Sequence, residues 1–351
     1  MYDVVVVGSG ISGMSLAYLL AKKRLKVALI GPVELSELLG ESTAGILTYH
    51  LREPFLSWAL RTYEIYKEVK EDAIEKVETL WLINNDEFFK EVTSKASEHG
   101  LRVQEVSEKE VSEVTGGRVK VENGEIAALG DGLKYNVKKL HRAFIDKLSE
   151  LEVDVISKWA ELRDSRVLVD GEEIRGRAVV VASGPWTREL LNLRNLTIYK
   201  CQLSKIPQEL HISVIDDVLG FYYNVLSEGI AALGDGIEVV VDDIVKAIEP
   251  DEDVLISVVN KAIKRGVLSK LPKDFKMVSA PCIGTSDGLP VVGKVGENLY
   301  VITGFNGIGY SVAPAVAEIL VEHILYGKEI AVELSPNREL KEGKVIEPID
   351  M

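Results

Sequence analysis

The sequence predicts an α/β fold of two domains: a discontinuous domain on a parallel sheet, and an inserted α+β domain built on a mixed sheet. Three observations predict it. Asp3 to Gly13 joins a continuous β-branched run to closely spaced glycines, the pattern of a parallel strand buried on both faces that enters a tight turn. Two more buried-strand patterns, 178–184 and 299–303, stand far from the first and from each other. Between them lie stretches where short strands alternate with charged helices. At about 150 residues per domain, the 351 residues also suggest about two domains.

Along the chain, Val4 to Val7 is the first strand, and Leu16, Leu19 and Leu20 follow at helical spacing. Val27 to Ile30 is a second buried strand and completes a βαβ unit. Strand patterns follow at 80–83, 153–156 and 166–169, and helical ones at 107–114 and 141–148. Asp170-Gly171 between Val169 and Ile174 is a hairpin signal. Tyr222-Tyr223 and 237–241 are strand candidates, 254–264 is helical, and a last helix spans about Tyr310 to Leu325. No internal repeat or low-complexity linker interrupts this order.

Composition narrows the function. Hydrophobic residues make up 46% and charged residues 27%, which excludes a disordered chain, a collagen and a small disulfide scaffold. The net charge of −14 argues against a nucleic-acid partner, because no basic surface is there to neutralise a row of phosphates. No apolar run approaches the ~18 residues of a spanning helix, so no transmembrane segment is expected. A strand starting at Val4 leaves no room for a signal peptide. Cys201 and Cys282 make neither a metal-ligand spacing nor a framework, so a reducing compartment and a cytoplasmic location are expected. The five histidines form no ligand spacing, so no metal is expected, and His99, His141 and His323 are expected on the surface.

Gly8-x-Gly10-x-x-Gly13 follows a strand and opens a helix, the setting of a Rossmann-like dinucleotide site. Gly8 permits the tight turn, Gly10 admits a pyrophosphate to the backbone, and Gly13 lets helix and strand approach. Ile11 and Ser12 then carry the unpaired N–H groups of the helix start. The acid that grips a ribose belongs just after Ile30, but Gly31 and Pro32 stand there. Glu34 or Glu37 is the candidate replacement from the loop.

Four further blocks follow in order: Glu41 to Gly45, Val180 to Trp186, Thr285 to Gly293 and Gly304 to Pro314. With the N-terminal fingerprint, the chain resembles the D-amino acid oxidase and glycine oxidase superfamily of FAD-dependent oxidoreductases. The resemblance covers both ends and the middle, and not clearly 195–277. It implies a FAD-binding domain of residues 1–78, 131–194 and 278–351, with a substrate domain of 79–130 and 195–277 roofing the flavin. It places Ser42, Thr43, Ala44 and Gly45 beside the pyrophosphate and ribityl chain. Ala182, Ser183 and Gly184 form a strand end without bulk, against which a flat cofactor can lie. Trp159 falls about where relatives contact the adenine, and Trp186 is a further cofactor candidate; plain packing is the competing reading for both. In the turn that carries Phe305, Asn306, Gly307, Ile308, Gly309 and Tyr310, the glycines at 304, 307 and 309 expose backbone N–H groups before a helix, which the resemblance sets beside the negative charge of a reduced flavin.

The resemblance also implies a small-molecule substrate dehydrogenated by hydride transfer to flavin N5: an amine, an amino acid or a hydroxy acid. Relatives grip a substrate carboxylate with an arginine, but Cys282 occupies that position. Arg52, with His50 nearby, is the candidate anchor, and Tyr222 the candidate substrate contact. FAD is expected to be non-covalent. Ala232 stands where an oxygen-assisting lysine would fall, which favours a dehydrogenase over an oxidase. Two alternatives remain: an NAD(P)-dependent dehydrogenase using the same fingerprint, and a flavin-containing relay subunit with an electron-carrier or subunit partner.

Overall fold

The computed structural model describes residues 1–43, 46–226, 229–236 and 239–346, with the backbone alone at 46–48. The chain opens with β1 (Tyr2–Val7), α1 (Ile11–Lys22) and β2 (Val27–Ile30). Helix α2 (Val33–Leu39), β3 (Ile46–Thr48) and α3 (Phe55–Lys70) lead to β4 (Ile74–Ile83). Next come α4 (Asp86–Glu98), β5 (Val103–Glu105), α5 (Glu108–Thr115) and β6 (Ile126–Tyr135). Helix α6 (Val137–Glu150) and β7 (Asp154–Ile156) return to the start of the chain. Strands β8 (Glu161–Arg163), β9 (Arg166–Val169) and β10 (Glu172–Ile174) precede β11 (Gly176–Val181) and α7 (Thr187–Leu190). The second half runs β12 (Thr197–Pro207), β13 (Ser213–Asp216), β14 (Phe221–Val225), β15 (Ile230–Gly234) and β16 (Val239–Val240). It ends with α8 (Glu252–Arg265), β17 (Lys276–Gly284), β18 (Val291–Gly296), β19 (Leu299–Thr303) and α9 (Gly309–Tyr326).

Six strands form the first sheet in the order β18-β19-β11-β1-β2-β7, parallel except for β18. The β1 run is continuously apolar because both faces are covered. Val4 and Val6 pack under α1, α6 and α9, while Val5 and Val7 pack under the small antiparallel sheet β8–β10. Asp170 and Gly171 both take positive φ in the β9–β10 turn, as a two-residue hairpin of right-handed strands requires.

Ten strands form the second sheet, which is mixed: β13 runs parallel to β4, and its other pairs are antiparallel. Its residues alternate between faces. Leu80, Leu82, Val214, Tyr223 and Leu233 pack with α5 and α8, while Trp81, Ile83, Ile215 and Ala128 face the first domain. The boundaries expected at 78/79, 130/131 and 277/278 fall inside β4, β6 and β17, so the large sheet takes in the flanking residues. The strand expected at 237–241 appears as β16, with residues 237 and 238 outside the described ones.

Two expectations are corrected. Cys201 and Cys282 form a disulfide. Strands β12 and β17 bring them side by side across 81 residues of sequence, a proximity that spacing does not reveal. The cysteine count therefore no longer speaks for a reducing compartment. His141 is buried rather than on the surface, because α2 packs over that side of α6. Burial pushes its imidazole below the usual histidine range. Among the described residues, no helix is long and apolar enough to cross a membrane.

The second core is fastened by a buried ion triad. Arg265 closes α8 and donates to Asp216 at 2.6 Å and to Glu125 at 2.6 and 2.8 Å. The three side chains are 5% exposed or less. Replacing Arg265 by Met strands two buried carboxylates, and we expect a loss of about 3–5 kcal/mol. Denaturant unfolding of Arg265→Met at neutral pH checks this.

Candidate active site

A cavity of about 1010 Å³ lies between the first domain and the large sheet. Its floor is the glycine turn after β1. A Cβ on Gly8 would sit 2.2 Å from the Ala182 carbonyl oxygen, and one on Gly13 1.8 Å from that of Gly8. Three backbone segments therefore touch here, and Gly13 serves packing and does not line the cavity. Gly10 is different: a Cβ there would meet nothing within 4 Å, and Gly8, Gly10, Ile11 and Ser12 line the space. Helix α1 starts at this point with no side-chain cap, as does α9 at Ile308. By contrast, Asn85, Ser107, Asn136 and Asp251 cap α4, α5, α6 and α8. Two positive helix ends with unpaired N–H groups thus share one cavity, which suits a long ligand with an anionic middle.

The other expected cofactor positions take their places around it. Ser42 and Thr43 line the cavity, the Ser42 hydroxyl donating to the Leu39 carbonyl at 3.0 Å. Ala44 and Gly45 lie outside the described residues. Ala182, Ser183 and Gly184 line it, with Ser183 anchored to the Val7 carbonyl at 2.8 Å. Trp159 and Trp186 meet edge to face at 5.4 Å, and both line the far end. Phe305, Asn306, Gly307, Ile308, Gly309 and Tyr310 line the end at α9. The Asn306 side chain also clamps the neighbouring turn, accepting from the Thr285 N–H at 3.1 Å and donating to its carbonyl at 3.1 Å. At the missing ribose acid, Gly31 lies against Ser9, whose hydroxyl meets that of Ser36 at 2.9 Å. Glu34 accepts from Ser157 instead, Glu37 pairs with Arg142, and neither lines the cavity.

The large sheet roofs the opposite side. Register places Tyr222 and Asn224 of β14, Ile215 of β13 and Ala232 of β15 on one face. Cys201 of β12 lies opposite Ala280 of β17 on that same face. Gly234 is small because the Tyr222 phenol lies over it. Of the expected substrate residues, His50 and Tyr222 line the cavity. His50 is buried, and desolvation pushes its imidazole down to about 4, so it is neutral at pH 7. Arg52 is not among the lining residues. It sits over the Phe88 ring at 4.2 Å and pairs with Glu91 at 3.4 Å. Sequence reasoning missed Ile215, Asp217, Asn224 and Cys201, since no local motif marks them and only strand register gathers them. Among the described residues no cluster of His, Cys, Asp and Glu is placed to hold a metal.

Glu41 ties floor to roof. Its carboxylate takes Lys138 of α6 at 3.0 Å, Lys276 of β17 at 3.1 Å and Lys205 of β12 at 3.3 Å. Lys138 first, and the other two lysines against the cost of burial, hold it at about 2. A carboxylate depressed on folding stabilises the fold above its unfolded pKa and loses that contribution as pH falls through the folded value. We therefore expect Glu41→Gln to lower the melting temperature at pH 7, with the gap to the parent shrinking between about pH 4.5 and 2. Thermal unfolding of both chains across that range checks this.

Residues 3–323 match the family profile described as FAD dependent oxidoreductase. No curated protein matches by sequence. The fold is similar to that of L-proline dehydrogenase from P. horikoshii, with TM-score 0.79, 22% identity, and coverage of 96% of this chain and 97% of that one. It is similar to glycine oxidase from Geobacillus kaustophilus, with TM-score 0.76, 20% identity, and 96% and 99% covered. Iminodiacetate oxidase from Chelativorans sp. gives TM-score 0.74 and 17% identity, with 95% and 98% covered. The family match sets the nicotinamide alternative aside and makes FAD the cofactor. With the fingerprint, the paired helix ends and a profile spanning nearly its whole length, the chain belongs to the family of FAD-dependent oxidoreductases.

Proposed function

We propose that this chain dehydrogenates a small amine, amino acid or hydroxy acid and passes the electrons to a carrier rather than to oxygen. The observation that carries the reading is the single cavity that joins a dinucleotide seat to a polar roof. The seat is Gly8, Gly10, the starts of α1 and α9, Ser42, Thr43 and the Ala182–Gly184 strand end. Gly10 supports it most directly, since the space beside its missing Cβ is open to a pyrophosphate. When bound, FAD supplies a hydride acceptor at N5. Both cysteines lie in the disulfide, so no free thiol among the described residues is there for a covalent link.

The remaining work falls to the chain's own residues. His50 lines the cavity and is kept neutral by burial, so it serves to position the substrate and not to hold a proton at neutral pH. Tyr222, on the cavity wall with its phenol over Gly234, is the substrate contact in this reading. Arg52 holds Glu91 by a long, exposed pair of the kind that contributes little, and can exchange it for a substrate carboxylate. Ala232 is buried on the roof face, and the lysine opposite it, Lys205, is held by Glu41 and does not line the cavity. A relay subunit is the second reading; it is favoured by the engagement of Arg52 outside the cavity lining.

Anaerobic addition of amines, amino acids and hydroxy acids to the purified flavoprotein tests the reading. We expect one class to bleach the flavin, and a dye acceptor to restore the colour faster than air. Arg52→Ala should raise KM about tenfold or more for an amino acid while sparing the amine that lacks its carboxylate. No bleaching across the panel sinks the substrate reading and favours the relay. A second expectation concerns the seat. Gly10→Val adds bulk to open space from an extended backbone (φ −74°, ψ −178°), so the chain should fold with near-parent thermal stability as apoprotein. FAD affinity, read by flavin fluorescence, should fall by about tenfold or more.

A further inference from the structure

The disulfide is a reactive group on the cavity wall that the dehydrogenation above does not use. Cys201 and Cys282 lie opposite Ala280 and Tyr199, so the bond crosses the β12–β17 ladder diagonally on the roof's cavity side. Both residues are half-buried and line the cavity. Here β17 packs against the turns Gly184–Trp186 and Gly40–Ser42, which also border the cofactor seat. The ladder itself runs unbroken from Thr197–Gly284 to Lys205–Lys276, so the two strands are held in register by backbone bonds without a cross-link. A disulfide placed inside a redox cavity, on strands already paired, is positioned for chemistry as much as for tethering.

We propose that Cys201–Cys282 is a redox-active disulfide that stores a second electron pair. The proposal rests on the FAD reading above. In the step, the disulfide accepts two electrons and two protons from the reduced cofactor. The S–S bond breaks, two S–H bonds form, and the cofactor returns to its oxidised form. The dithiol is discharged by a small soluble disulfide. One thiolate attacks it and releases one thiol, and the second then closes the intramolecular bond and releases the other. The protein thus carries two electron pairs where the cofactor alone carries one.

The test is an anaerobic dithionite titration of the holoprotein, followed by N-ethylmaleimide labelling and intact mass. Dithionite makes the result independent of the natural substrate. We expect uptake of about four electrons per chain and two labelled thiols, against about two electrons for Cys201→Ala/Cys282→Ala. Labelling of the parent chain carries the result even if that variant folds poorly. The flavin-free chain treated alike should stay unlabelled. Complete flavin reduction at about two electrons with no label overturns the proposal, and so does labelling of the resting protein or of the flavin-free chain. A chain that binds no FAD overturns both this step and the reading beneath it. One that binds FAD yet stays unlabelled overturns this step alone.

Discussion

The contact of three backbones at the end of β1 governs the rest of the structure. Gly8 lies against the carbonyl of Ala182, and Gly13 lies against the carbonyl of Gly8. No side chain fits between them, so helix α1 can begin directly over the strand ends. Its first N–H groups then have no partner of their own and face the cavity. The arrangement sacrifices an N-cap, worth about 1 kcal/mol elsewhere, and leaves a site for anionic charge. The turn before α9 repeats the solution from the other end of the chain, with Gly304 and Gly307 at positive φ. Asn306, also at positive φ, pins that turn to Thr285. A discontinuous chain is thereby made to present two helix ends to one cavity.

The large sheet completes the site by a different rule. Its strands bury both faces, one against α5 and α8 and the other against the first domain. Side chains alternate strictly, so the register of each strand fixes which residues face the first sheet and its cavity and which face the second core. On that face Ala280 lines the cavity, and Gly234 leaves room for the Tyr222 ring. Two charged assemblies fasten this roof: the Arg265 triad inside its outer core, and Glu41 with its three lysines at the seam between the domains. The first is shielded from solvent and the second partly exposed, so they answer differently to salt and pH.

The residues legible in advance share a property: their role is fixed by neighbours a few positions away. The Gly8–Gly13 turn, the Val4–Val7 strand and the glycine turn ahead of α9 are local patterns, and the ordered blocks named the family. His50 and Tyr222 could be nominated as well, and both line the cavity. The burial of His141 escaped because it depends on α2 folding back over α6. The residues on the ribose side escaped because Glu34 and Glu37 turn to Ser157 and Arg142, partners that sequence does not place near them.

By itself, then, the sequence determined the α/β class and the glycine turn after β1, because glycine sterics and hydrophobic period act over a few residues, and its ordered blocks gave the class of cofactor by resemblance. Tertiary structure alone decided the roof. Cys201 meets Cys282, and Arg265 meets Asp216 and Glu125, through pairings that span 81, 49 and 140 positions. A one-residue slip in any of those strands would turn its side chains to the opposite face. No local pattern encodes that register; it is set by packing both faces of the sheet at once.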